Sequence, residues 1–291
     1  MIEHTNSDFI KPARVVILGG SGFVGGELAA HLENHDIPVL SLSSGDIDLC
    51  SEEGSAKLAS ELRVDDSLVI LSALTPDKGR GIATFMRNLK MIEGVAKALE
   101  KTQPAHVVYF SSDAVYPLTL NPVDEDSPAA ASDLYGVMHL SRELMLKDAV
   151  VGPLCILRPT LIYGAADSHS SYGPNRFRRQ AKSDGKIMIG GNGEETRDHI
   201  FVNDVVELTR LVLGHNSRGI LNIATGRSVD FGVLAKMVAS RFDKDVDVCP
   251  SQRNMPVTHR NFDVTATHKA FPAFAFTPIE TGLDEAHKEV C

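Results

Sequence analysis

Five short apolar runs alternate with longer amphipathic stretches through the first half of this 291-residue chain. That alternation restricts the fold more than any single motif. The runs cover 14–18, 38–42, 67–71, 106–110 and 154–157, each bounded by polar turns, the pattern of strands buried on both faces. The stretches 23–34, 51–63, 80–102 and 134–149 read as helices. In the third, Phe85, Leu89, Ile92, Ala96 and Leu99 recur at spacings of three and four. Strand and helix in succession predict right-handed crossovers and an α/β fold with a doubly wound parallel sheet. Beyond about residue 158 the pattern loosens, and Gly, Pro, Ser and Asn gather at 164–175 and 190–193, which predicts a smaller second lobe.

The first run leads into Gly19-Gly20-Ser21-Gly22-Phe23-Val24-Gly25, which opens the first helix. Gly19 permits a tight turn, Gly22 lets backbone approach a pyrophosphate, and Gly25 lets helix and strand pack closely. Phe23 and Val24 begin the helix whose free amides favour phosphate. The placement predicts a Rossmann-type NAD(P)-binding domain over 13–157 plus about 196–224, with 158–195 and 225–291 forming a C-terminal substrate-binding lobe. The acidic ribose clamp expected after the second strand is missing, since Leu40-Ser41-Leu42-Ser43-Ser44 holds neither carboxylate nor arginine. NAD and NADP therefore both stay open. Asp46 and Ile47 follow, and Asp46 also reads as a turn residue.

Other classes are disfavoured. Lys and Arg number 29 against 38 Asp and Glu, a net charge of −9 with no basic block, so no nucleic-acid partner is expected. No apolar run approaches the roughly 20 residues that cross a bilayer, and no membrane association is expected. The first dozen residues lack the basic and apolar regions of a signal peptide and read as a short polar tail. Cys50, Cys155, Cys249 and Cys291 show no CxxC spacing, and the 11 histidines no HxxH spacing. A reduced, cytoplasmic compartment and no metal site are expected.

The fourth run ends in Ser111-Ser112-Asp113-Ala114-Val115-Tyr116, and Tyr135 follows Ser112 by 23 residues, opening the next helix. A serine after a parallel strand and a tyrosine on the following helix both sit at the carboxyl edge of the sheet, where ligands bind. The serine can hold a reacting oxygen. The tyrosine can move its proton when a nearby cation lowers a pKa of about 10.

These motifs resemble the extended short-chain dehydrogenase/reductase family of nucleotide-sugar epimerases, dehydratases and reductases. The matches run in order over nearly the whole chain. Gly19, Gly22 and Gly25 match the glycine motif, and Asp46-Ile47 the adenine-contacting pair. Ser72-Ala73-Leu74 falls where a strand-end loop passes under the cofactor, and Asn88 matches a helix asparagine. Ser112 matches the catalytic Ser/Thr and Tyr135 the catalytic Tyr. Arg158 to Gly164, with Pro159, resembles a run near the nicotinamide. Arg197 to Asp204 and Leu221 to Gly226 resemble two further family runs. The resemblance implies NAD(P), a nucleotide-sugar substrate, and a homodimer paired through the helices at 80–102 and 134–149.

One position departs. The family pattern is Tyr-x-x-x-Lys, and the fourth residue after Tyr135 is His139. The spacing keeps both side chains on one helix face. Histidine is shorter and mostly neutral at pH 7, so it can take the ribose contact without the fixed charge. On sequence alone, replacing His139 with lysine is expected to raise the rate at neutral pH. Asp113 stands where the dehydratases carry the first of two acids, but the second position is Ala114, which disfavours dehydration. The resemblance places Asp113, Asn175, Arg197 and Arg253 around the substrate, with Arg260 a rival to Arg253. The expected activity is a nucleotide-sugar epimerase or 4-keto-sugar reductase passing hydride at C4. The alternative is a dinucleotide-binding sensor or scaffold with decayed catalysis.

Overall fold

The structure, a computed structural model, describes residues 1–167, 173–253 and 256–288. Cys291 lies outside them. The alternating half folds as its periodicity predicts. Strands β1 (Arg14–Leu18), β2 (Val39–Leu42), β3 (Asp66–Ile70), β4 (His106–Phe110) and β5 (Leu154–Pro159) alternate with helices α1 (Phe23–Glu33), α2 (Glu52–Glu61), α3 (Ile82–Leu99) and α4 (Leu134–Ala149). The remaining chain supplies β6 (Leu161–Tyr163), α5 (Gly173–Asp184), β7 (Lys186–Gly190), β8 (Thr196–Phe201), α6 (Val202–Gly214) and β9 (Gly219–Ile223). It ends with β10 (Ser228–Asp230), α7 (Phe231–Ala239), β11 (Asp247–Ser251), α8 (Thr265–Ala270) and α9 (Ile279–Lys288).

Six strands form one all-parallel sheet in the order β2-β1-β3-β4-β5-β9. Its two faces are buried in different cores. Val15 and Ile17 of β1 pack in one with Leu28 and Leu32 of α1, whereas Val16 and Leu18 pack in the other with Ile92 and Val95 of α3. The strand period of two thus makes every β1 residue after Arg14 apolar. A second sheet, β10-β8-β6, and a two-stranded ladder, β11-β7, stand apart from the large one. β8 joins this second sheet, while α6 packs on α1.

The strand order reverses between β1 and β3, so a cleft opens at their carboxyl ends. Gly19 leaves β1 and Ser72 follows β3 there. A Cβ on Gly19 would lie 2.9 Å from the Ser72 nitrogen, and Gly19 has φ of +95°. Glycine is needed for both reasons.

The opening residues are docked rather than loose. Glu3 and Arg218 exchange backbone hydrogen bonds of 2.9 and 2.8 Å just ahead of β9. The His4 ring stacks on His215 with centroids 4.5 Å apart. Polarity alone made this segment read as a tail; its partners lie more than 200 residues away in sequence. Among the described residues no helix is long and apolar enough to cross a membrane.

Candidate active site

The glycine loop makes a cradle. Gly22 caps α1 with no side-chain hydrogen bond, leaving the first helical amides free of any capping side chain. A Cβ on Gly22 would lie 3.2 Å from the Gly19 carbonyl, and one on Gly25 would collide with that carbonyl and with Gly20. Gly25 therefore packs helix against loop, and Gly22 keeps the mouth open. Phe23 and Val24 are half-buried, and the Phe23 ring packs beside Gly164 at the end of β6.

Beyond β2, Asp46 is exposed and its carboxylate accepts from the Ser43 amide at 2.8 Å and the Ser43 hydroxyl at 2.6 Å. These bonds hold its pKa below the usual carboxylate value. Asp46 thus closes its own turn, and Ile47 is a core residue. Ser72, Ala73 and Leu74 are half-buried in the loop after β3. Asn88 of α3, itself buried, accepts from the Leu74 amide at 2.8 Å and donates to its carbonyl at 3.0 Å. Its role in this structure is to set that loop. A pocket opens between this loop, α3 and the start of α4, lined by Leu74, Asn88, Tyr135 and Met138 among others.

Ser112 caps a single 3-10 turn, accepting from the Ala114 amide at 3.1 Å. Its hydroxyl donates to Asp113 at 3.5 Å and lies close enough to Tyr135, the second residue of α4, to favour the ionised phenol. Burial pushes the Tyr135 phenol up to about 12; the Asp113 charge pushes the same way, while Ser112 and Arg142 oppose it. Asp113 is raised by burial, against the attraction of Arg260 and Arg197. The pair resembles the acid/base couple read from the sequence, and the phenol rests in its protonated form.

His139 is buried, and Nδ1 lies 2.8 Å from the hydroxyl of Tyr109 on β4. Burial, with a smaller push from the Arg142 charge, lowers its pKa well below the ordinary histidine value. It is a neutral imidazole. Arg142, fully buried one turn further along α4, donates to the Ser72 carbonyl at 2.7 Å and lies over the Tyr109 ring. Neither Tyr109 nor Arg142 was singled out by sequence. The available signal was helical spacing, since Tyr135, Met138, His139 and Arg142 share one stripe of α4.

A carboxylate deeper in the core ties α4 to the chain just after β4 and to β5. Glu143 accepts from the Ser111 hydroxyl at 2.6 Å, and from Arg158 through Nε at 2.9 Å and Nη2 at 2.6 Å. Arg158 also donates to the Tyr116 hydroxyl at 2.9 Å, which donates to Asn222 at 2.9 Å. Pro159 is buried at the end of β5. The run containing it thus turns its arginine inward.

The substrate-side residues separate into two groups. Arg197 lies near Asp113 and donates to the Thr258 carbonyl at 2.8 Å and its hydroxyl at 2.6 Å. Arg260 is buried near Asp113 with Nε and Nη1 lacking a partner. Arg253 is instead held by Glu194, Glu195 and the Gly190 carbonyl, beside the small ladder. Asn175 is buried, donating to Asp167 and accepting from Arg178 at 3.0 Å. Of the two rival arginines, Arg260 is the one that joins Arg197 at Asp113. Away from this site His31, His35 and Glu207 come together, but Glu207 already accepts from Arg210 through both oxygens.

The cradle and the buried, unpartnered Ser72 Oγ and His139 Nε2 fit a dinucleotide. Residues 15–224 match the model of the NAD dependent epimerase/dehydratase family, and the chain belongs to that family. It is 26% identical over 223 residues to the N-acetyl-alpha-D-glucosaminyl-diphospho-ditrans,octacis-undecaprenol 4-epimerase of Escherichia coli O157:H7, covering 70% of this chain and 64% of that one. It is 23% identical to the ADP-L-glycero-D-manno-heptose-6-epimerase of Alkalilimnicola ehrlichii, over 92% of this chain and 95% of that one. The fold matches the UDP-glucose 4-epimerase of Thermus thermophilus, solved with NAD, at a TM-score of 0.82 and 19% identity, over 95% and 98% of the two chains.

Proposed function

We propose that this protein is an NAD(P)-dependent nucleotide-sugar epimerase or 4-keto-sugar reductase with Tyr135 as its acid/base. The observation that carries the reading is the juxtaposition of Ser112 and Tyr135 beside Asp113, with Arg197 and Arg260 close to the same carboxylate. NAD(P), when bound, supplies or accepts hydride at the sugar C4. Ser112 and Tyr135 hold the C4 oxygen, and Tyr135 donates its proton to that oxygen in the reducing direction and takes it back in the oxidising one. Asp113, Arg197 and Arg260 set the sugar and its diphosphate against this couple. The glycine loop, Ser72 and His139 bind the cofactor. Residues 13–157 and about 196–224 form its domain, and 158–195 with 225–291 the substrate lobe. Exposed Ile82, Met86 and Leu144 on α3 and α4 give a homodimer its contact face.

A second reading, a cofactor-binding sensor with decayed catalysis, draws on the neutral His139 where the family pattern has lysine. One experiment separates the two. The purified protein is loaded with NAD or NADP and offered UDP- and ADP-sugars and 4-keto sugars. Epimer formation with retained cofactor, or oxidation of NAD(P)H by a keto sugar, supports the enzyme, and Tyr135→Phe should abolish either one. Tight cofactor binding with no turnover supports the sensor.

A further inference from the structure

The lysine missing from α4 performs two jobs in one side chain, a hydrogen bond and a fixed charge. The structure divides them. His139 is enclosed by Tyr109 of β4 and by Tyr135 and Arg142 of its own helix. Its two nitrogens differ. Nδ1 meets the Tyr109 hydroxyl at 2.8 Å, whereas Nε2 is buried without a partner. If Tyr109 donates to Nδ1, the phenol proton is satisfied and Nε2 carries a hydrogen. If Nδ1 donates instead, the phenol proton is left unmatched in the core. A phenol is also the better acid and an imidazole the better base. Arg142 lies with its guanidinium carbon 5.2 Å from the Tyr109 ring centroid, which favours the phenol as donor. The same guanidinium acts on Tyr135 from two turns along the helix and is anchored to the Ser72 carbonyl.

We propose that Tyr109 locks His139 as the Nε2–H imidazole, which donates to the cofactor, while Arg142 supplies the fixed positive charge beside Tyr135. Tyr109 and Arg142 are positioning residues, and His139 is the one that touches the cofactor. The proposal rests on the reading of this cleft as an NAD(P) site. The charged and titratable groups facing Tyr135 are Asp113 after β4, Asp133 at the cap of α4, His139 and Arg142; those facing His139 are Tyr109, Tyr135 and Arg142. Among the described residues, Arg142 is the cation common to both sets.

The test reads the protein both with and without turnover. In ¹⁵N-histidine spectra of the whole chain, His139 should stay neutral with its proton on Nε2 from pH 6 to 8. Tyr109→Phe should mix the tautomers and weaken NAD(P) binding by about tenfold, the worth of one hydrogen bond. A proton on Nδ1, or an imidazolium at pH 7, overturns the proposal. Arg142→Gln should raise the Tyr135 titration, followed by ¹³C-tyrosine NMR, by about one pH unit. Arg142→Lys should restore it, which separates charge from packing. A Tyr135 titration unmoved by Arg142→Gln in a folded variant overturns the charge assignment. None of these readouts needs a sugar, so failure to turn over any nucleotide sugar would count against the proposed function and leave this assignment standing.

Discussion

The ring of Tyr135 stands edge-on to that of His139, with centroids 4.7 Å apart and planes at 85°. Arg142 is the cation that both rings share. That changes what a lysine at 139 should do. On sequence it would restore a missing charge. In the structure it would bury a second cation next to the first, where like charges disfavour each other. His139→Lys is expected to lower turnover by at least about tenfold, and His139→Lys with Arg142→Gln to recover most of it. Steady-state kinetics on the two variants checks both outcomes.

The pH profile follows from Asp113. Its negative charge adds to burial in holding the Tyr135 phenol up at about 12, so the phenol is protonated at neutral pH. Oxidation of a sugar hydroxyl, which needs a proton acceptor, should rise with pH towards that value. Asp113→Asn removes the opposing charge and should bring the rising limb to lower pH, at some cost in substrate affinity. A limb left in place would show that Asp113 is already protonated in the resting protein.

At the cradle two glycines should behave differently. Gly22→Val intrudes on the open mouth and is expected to weaken NAD(P) binding by about a hundredfold or more with the melting temperature nearly unchanged. Gly25→Val meets backbone of the loop and should unsettle the fold itself. Calorimetric titration alongside thermal melts separates the two effects.

Glu143 and Arg158 are both buried and paired through two hydrogen bonds. Arg158→Met leaves the carboxylate in the core with the Ser111 hydroxyl but without its cation and should cost about 3–5 kcal/mol in urea unfolding. Combining it with Glu143→Leu should regain much of that loss, because an apolar pair of similar volume can replace a buried ion pair.

On α4, Leu144 is 58% exposed, and on α3, Met86 is 55% exposed. If these helices pair across a two-fold axis, light scattering at micromolar concentration should give the mass of a dimer, and Leu144→Glu should halve it. A monomeric wild type would dismiss the pairing.

Much of the fold was legible because burial on both faces writes an unmistakable pattern. The run at 106–110 contains His106 and Tyr109, yet all five residues are buried in β4. Helices α1 to α4 lie within about three residues of their expected ends, where caps rather than periodicity decide the boundary. The site was legible where a backbone requirement selects glycine, as at Gly19. It was less so where a side chain is recruited across the fold. Arg142 reads as an ordinary helix charge until Ser72, from the loop after β3, and Tyr109 of β4 come up against it. Arg253 and Arg260 are seven positions apart, and spacing alone does not say which is drawn off by Glu194 and Glu195. Asp46 reads both as a ligand by motif and as a turn residue, and its bonds to Ser43 show the turn.

The bond from Ser111 to Glu143 has a further meaning for how such a protein can change. Ser112 follows a strand end and Tyr135 sits on a helix, and Glu143 of that helix bonds Ser111, the residue before Ser112, so one carboxylate ties the two elements together. Arg197 on β8 and Arg260 in the loop ahead of α8 are not among the Glu143 partners, which are Ser111 and Arg158. Under the proposed function, changes around Arg197 and Arg260 leave Ser111, Glu143 and Arg158 in place, so preference among sugars can shift without rebuilding the support of Ser112 and Tyr135.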